Sequence, residues 1–461
     1  MNNLHFLILF CNFAARISYL SIMKQTIRTF FAVFFTLFLS LSTGAQTVAE
    51  ELRDDVNRSA GLYYALPVPA IQTDTAPKGK KPFYINHYGS PASYYLLKAA
   101  SYEAPYATLA KADSLGKLTT LGHDVLQRVN QIRLDAQNRT GEITQKGTHQ
   151  ARAMMRQMME RFPDMLVDNA YYSARSAMHN HCIETMNEAM LQLASMHHPM
   201  QLNIRASHRE EHFMDPEDKF LTSQRTDSLT LAKYAEFTAG HTDDTRLMAS
   251  LFNDSAYVAS AINTADLSQQ LFLLAGCIQH TDLAGKVMLY DIFTPEEIHN
   301  HWLKQNAWHY INYGGYTPNG GYQAYLQRSL LRNMMHMGDS IQKRNILVGH
   351  IRYTHENVVL SLACLMELDG YGLHTASLDS LEEKGWADYR IAPLGGSIEM
   401  IHYRSDSDDP DVLVKVLLNG REARLPIPTD CAPYYHWQDV KHYYLRKLYR
   451  YENRRFNQKT K

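Results

Sequence analysis

Residues 81–97, KPFYINHYGSPASYYLL, decide how the rest of the chain is read. Pro82 opens a short apolar run, Phe83-Tyr84-Ile85, which has the length and composition of a buried strand. Asn86, Gly89, Ser90 and Pro91 are strand breakers, and they predict a strand that ends in a tight polar loop. In an α/β sheet, the loop after a strand's carboxyl end is where ligands usually bind. The loop is therefore the first place to look for chemistry.

Working outward, residues 46–81 are polar, end in TDTAPKGKK, and read as a leader strand or arm. Two related segments follow the loop, GKLTTLG at 116–122 and GEITQKG at 141–147, each with a threonine just before a helical pattern. A threonine there supplies a hydroxyl to backbone N–H groups that a helix start leaves unpaired. In the second helix Ala151, Met154, Met155, Met158, Met159 and Phe162 recur at helical spacing until Pro163 stops it. The methionine stripe reads as core. A second strand is expected within 164–175, with Ser173-Ala174-Arg175-Ser176 at its end. From about 207 to 338 the pattern is helical and loop-rich, with Trp302, Trp308 and a glycine-aromatic run at 313–322. Residues 345–353, NILVGHIRY, form a strand; Thr354-His355-Glu356-Asn357 follows it, and an apolar helix follows that. Residues 397–403 alternate as a strand, 412–426 form a hairpin around Asn419-Gly420, and 434–447 form a terminal helix.

The chain has 461 residues, enough for one large or two coupled domains, and 46 basic against 47 acidic side chains. That balance gives no global electrostatic case for nucleic acid or an anionic membrane. Lys24 and Arg28 precede an apolar stretch at 30–41, with the small residues Ser42 to Ala45 after it. This is the layout of a cleaved signal segment spanning 1–45. The stretch is short for a bilayer span, so export to the periplasm, the cell surface or the medium is expected, with no stable membrane span after cleavage. Met23 is the more typical start, with 1–22 an over-extension; the alternative is an uncleaved two-pass membrane anchor that also uses the apolar run from Leu4 to Phe13. Cleavage removes Cys11 and leaves Cys182, Cys277, Cys364 and Cys431, as free buried thiols or as one or two disulfides. No CxxC is present, so neither a zinc ribbon nor a redox motif is supported.

The loop resembles the signature of the histidine phosphatase superfamily, in the branch of histidine acid phosphatases, phytases and multiple inositol polyphosphate phosphatases. That signature is R-H-G-x-R-x-P, and one form of it reads H-Y-G-R-H-G-S-R-Y-L. Here the segment is His87-Tyr88-Gly89-Ser90-Pro91-Ala92-Ser93-Tyr94-Tyr95-Leu96. The flanks agree, but Ser90 and Tyr94 stand at the arginine positions and Pro91 stands at the nucleophilic histidine. A second register makes His87 the nucleophile and puts Asn86 and Ser90 at the arginines. The L-T-x-x-G segments are similar to those of relatives. His355-Glu356 resembles the family's second motif, in which a histidine holds phosphate and an acid protonates the leaving group. Arg175 matches a third phosphate-binding arginine, and His181 falls where relatives often have another. The resemblance implies an α/β fold: a Rossmann-like mixed sheet flanked by helices, with a core of 46–206 and 339–461 and an inserted, mainly α-helical cap at 207–338. It implies a phosphoric monoester hydrolase class, a phosphorylated small molecule such as an inositol phosphate as ligand, and no cofactor.

Hydrolysis through a phosphohistidine needs an attacking imidazole, cations around the phosphoryl oxygens and an acid for the leaving group. Arg175 and His355 fit phosphate binding, and Glu356 fits the acid. Pro91 cannot attack, and Ser90 and Tyr94 supply no bidentate positive charge. The expectation is a catalytically impaired, phosphate-ester-binding pseudophosphatase. The alternatives are an active phosphatase or phytase-like hydrolase using His87, or a non-enzymatic structural or binding module. Two further patterns suggest metal. His208-Arg-Glu-Glu-His212 fits H-x-x-E-H of zinc peptidases, but in the resemblance it falls in an ordinary loop. His179-Asn180-His181-Cys182 places two histidines two apart, which diverge on a helix, and no complementary pair is evident. No metal site is expected.

Overall fold

The computed structural model describes residues 46–459, apart from 69, 71–73 and 198. The expected signal segment at 1–45 lies outside the described residues. The described residues from Leu52 onward form one compact unit.

Eight strands make one mixed sheet: β1 (Lys81–Gly89), β2 (Tyr171–Ser176), β3 (Gln201–Ala206), β4 (Val348–Tyr353), β5 (Ser397–Arg404), β6 (Leu413–Leu418), β7 (Arg421–Glu422) and β8 (Tyr435–His436). Their order is β8-β6-β5-β1-β4-β2-β3, with β7 on β6 across the Asn419-Gly420 turn. β1, β4, β2 and β3 run parallel, while β5 and β6 join antiparallel on the other side of β1. The expected α/β class with a mixed sheet is what the chain forms. β3 had no clear sequence signal, because its burial is partial and irregular.

The run at 83–85 is the middle of β1, but the strand does not break at Asn86. It continues to Gly89, and every residue after Lys81 is buried. The ladders on both sides override the local preference of Asn86 and His87. Asn86 Oδ1 also accepts from Arg352 Nη1 on β4 at 2.9 Å. His87 is thus a central strand residue and not a loop histidine. Residues 52–63 are not an extended arm either. They complete a helix, Val48–Asp54, and a 3-10 turn, Val56–Tyr63, because Ala60 and Leu62 have core to bury into.

Helices cover both faces. The longer ones are α1 (Ala100–Ser114), α2 (Thr120–Asp135), α3 (Gln145–Arg161), α4 (Asn180–Met196), α5 (Pro295–Tyr313), α6 (Arg328–Ile341), α7 (Glu356–Met366) and α8 (Trp437–Lys459). Tyr84 and Tyr88 pack with Leu330, Met334 and Val359 on one face, whereas Ile85 packs with Met155, Met158 and Met159 on the other. The methionine stripe is core, as its spacing predicts. α6 runs through the expected cap boundary at 338 and shares the core of the sheet.

Thr119 and Thr144 cap α2 and α3, accepting from Gly122 and Gly147 N–H at 3.0 Å each. The glycines are needed for approach: a Cβ on Gly147 would sit 2.0 Å from the carbonyl oxygen of Ser93. The threonine-glycine segment therefore holds the loop after β1 directly. Cys182, Cys277 and Cys364 are buried free thiols, and Cys431 is a half-buried one. Among the described residues no helix is long and apolar enough to cross a membrane.

Candidate functional site

The turn after β1 is tied down by protein on every side. Ser90 N–H donates to Gly396 O at 2.8 Å, and its hydroxyl donates to the carbonyls of Pro393 and Gly396. Ala92 N–H donates to Thr185 Oγ1 at 3.0 Å and Ser93 N–H to Gln150 Oε1 at 2.9 Å, while Pro91 has no N–H. These donors are spent, so this part of the turn offers no cradle for an anion.

Tyr94 leaves the turn toward the carboxyl end of β4. Its ring stacks on His181, centroids 4.4 Å apart and planes at 17°, and its hydroxyl donates to Glu356 Oε1 at 3.3 Å. Burial, reinforced by the Glu356 carboxylate, holds the phenol protonated far above its ordinary range. Glu356 Oε2 is buried with no partner among the described residues.

His181 lies in the first turn of α4, and its Nε2 is 3.2 Å from His355 Nδ1. Burial is the main cause that lowers the His181 pKa to about 3, with His355 and His179 adding to it. His179 and His355 each precede a helix, α4 and α7, in extended conformation, and neither side chain caps its helix. Their rings meet edge to face at 4.4 Å. Thr354 fixes this corner by donating its N–H to Gly89 O at 3.0 Å and its hydroxyl to Met214 O. Next to Met214, Asp215 brings Oδ2 to 3.9 Å from His355 Nε2. Asn357, on α7, donates to Tyr313 OH at 2.9 Å, and Arg225 from the helical segment lies over the Tyr313 ring.

Among the residues expected from sequence, His355, Glu356, Tyr94 and His181 come together. Arg175 does not join them. Its Nε is held by Glu210 at 2.8 Å and its Nη1 by the carbonyls of Ala174 and Asn203, which turns the guanidinium along the edge of the sheet. His87 also lies elsewhere. It lines a cavity of about 20 Å3 with Ser90, Ala92, Met155, Thr185 and Glu399, and burial lowers its pKa to about 4. That volume holds one water and no phosphate ester. His208 and His212 do not converge, because 208–213 is a 3-10 segment with three residues per turn; His208 is 83% exposed and His212 lies on Phe213. His179 precedes the helix that carries His181, and its ring lies with His355 and Asp215 instead. Asp215 carried no sequence signal.

By sequence, no family model and no curated protein matches the chain. Solved structures do. A multiple inositol polyphosphate phosphatase of Bifidobacterium longum, in complex with phosphate, aligns with a TM-score of 0.67 at 14% identity, covering 83% of this chain and 97% of its own. The same enzyme in complex with inositol hexasulfate gives 0.66 at 13%. The chain has the histidine acid phosphatase fold. The phytase from D. castellii carries the same fold at a TM-score of 0.63 and 12% identity, covering 85% of this chain and 84% of that one. At 12–14% identity the likeness is one of fold.

Proposed function

We propose that this is an exported protein that keeps the histidine acid phosphatase fold without phosphohistidine turnover, and that its cleft binds a phosphorylated small molecule. The observation that carries the loss of turnover is the turn itself. Pro91 stands where the imidazole is needed, Ser90 is bonded to two backbone carbonyls, and Tyr94 occupies the floor against His181. Removing one electrostatic donor commonly costs about 10²–10³ in rate, and here two arginines and the nucleophile are replaced together.

Binding is supported by the mouth of the cleft. Two helix N-termini without side-chain caps, those of α4 and α7, converge at His179 and His355, and such termini favour anions. Arg225 lies over the ring of Tyr313, whose hydroxyl accepts from Asn357 in the first turn of α7, and Arg175 does not take part. The solved relatives in complex with phosphate and with inositol hexasulfate support this ligand class. Export rests on the segment at 1–45.

Phosphate release from an aryl phosphate and from phytate, at acidic and neutral pH, is expected to stay at the blank. Calorimetry with inorganic phosphate and inositol hexakisphosphate is expected to show binding that His355→Ala weakens. Turnover abolished by His87→Ala overturns the reading.

A further inference from the structure

We propose that His179, Asp215 and His355 form a binding site for a divalent transition-metal ion, with zinc(II) the best-fitting occupant. One ligand atom from each of the three side chains lies within 4.8 Å of the other two. This assignment does not depend on whether the cleft also holds a phosphate ester.

The contact behind the cluster fixes which nitrogen is available. His181 Nε2 lies 3.2 Å from His355 Nδ1, so that hydrogen bond occupies one ring nitrogen of His355 and leaves Nε2 as the nitrogen facing the cluster. His355 Nε2 faces Asp215 Oδ2 across 3.9 Å. An ion seated at this corner would be held by both atoms. Zinc bonds to imidazole nitrogen and carboxylate oxygen are each about 2.0–2.2 Å, which puts two ligand atoms of a tetrahedral ion about 3.4 Å apart, so the 3.9 Å gap would close by about half an ångström on binding. His355 would then show the arrangement usual for metal-bound histidine, one nitrogen on the ion and the other N–H donating to an outer partner, here His181.

The donor set selects the ion class. Two imidazoles and one carboxylate suit zinc and its neighbours, whereas magnesium and calcium prefer oxygen throughout. Cys182 lies within 4.8 Å of His181 and His355 but belongs to a rival set, which needs the bond between the two histidines broken and a buried thiol ionised. His179 is exposed and 39% of the Asp215 side chain is exposed, so an ion can enter from solvent and keep a position open for water or an anion.

The test is titration of the chelator-treated mature chain with zinc chloride by calorimetry, and with cobalt(II) by visible absorption. One equivalent is expected to bind, and cobalt is expected to show the d–d bands of a four- or five-coordinate ion. His179→Ala, at an exposed position that leaves the fold undisturbed, Asp215→Asn and His355→Ala should each weaken binding by more than the 10–100-fold typical of an outer-shell partner. His181→Phe keeps the ring on Tyr94 and should weaken binding within that 10–100-fold range. Cys182→Ala, and His436→Ala in the separate exposed cluster of Asp430, Cys431 and His436, should leave affinity unchanged. The proposal fails if no equivalent binds, if the cobalt bands are absent, or if binding is lost with Cys182 or His436 and kept without His179.

Discussion

Tyr94 stacks on His181 with ring centroids 4.4 Å apart, and its hydroxyl reaches on to Glu356. One side chain thus covers an imidazole and donates to the carboxyl group beside it. Because Tyr94 is 1% exposed, Tyr94→Ala should cost about 3–5 kcal/mol, the range for emptying a buried aromatic position. Tyr94→Phe keeps the stack but leaves Glu356 with neither oxygen paired, and should cost about 1–3 kcal/mol. Urea unfolding measures both; losses below 0.5 kcal/mol, roughly the scale of surface substitutions, would mean the ring is not packed as described.

Pro91→His alone should not create a phosphatase. The new imidazole would sit in a turn without arginines, where Ser90, Ala92 and Ser93 N–H groups already serve protein acceptors. Aryl phosphate release by the variant should equal that of the parent chain. A clear rise would show that cations outside the turn can stabilise the transition state.

The threonine-glycine segments make a graded prediction. Thr144→Ala removes one cap bond and should cost about 1 kcal/mol. Gly147→Ala should cost more, because its Cβ would meet the Ser93 carbonyl at 2.0 Å and push on the turn after β1. Thermal unfolding of the two variants should rank them in that order, and the reverse ranking would refute the close approach.

Five buried histidines predict a steep acid limit. Burial is the main cause that lowers His87 to about 4, and His280, His301, His350 and His402 to about 3. Each folded value lies below the unfolded 6.5, so the unfolded chain binds more protons between them. The stabilisation is complete above about pH 6.5 and is lost as pH falls toward 3–4, by up to about 1.4 kcal/mol per pH unit for each group. Melting temperature should therefore drop on acidification from pH 7 to 5. His402, whose two ring nitrogens have no hydrogen-bond partner among the described residues, allows a finer check: His402→Phe should reduce proton uptake on unfolding by about one. A melting temperature flat across that range would count against buried neutral imidazoles.

Much of the architecture is legible in the sequence because its signals are local and repeated. The apolar run at 83–85, the threonine before each helix, the methionine spacing of α3 and the Asn-Gly turn each depend on a few adjacent residues, and each appears where expected. That position 91 carries no imidazole is also fixed by sequence alone, since no packing can change a side chain's identity.

Tertiary structure decided what depends on distant partners. β1 runs through Asn86 and His87 because strands from residues 348–353 and 397–404 pair with both its edges. Arg175 is held away from His355 by Glu210, and His179 meets His355 and Asp215 only because two helix starts and the segment after 213 are brought to one corner. Side-chain identity is written in the chain, but which side chains meet is set by packing between residues far apart in sequence.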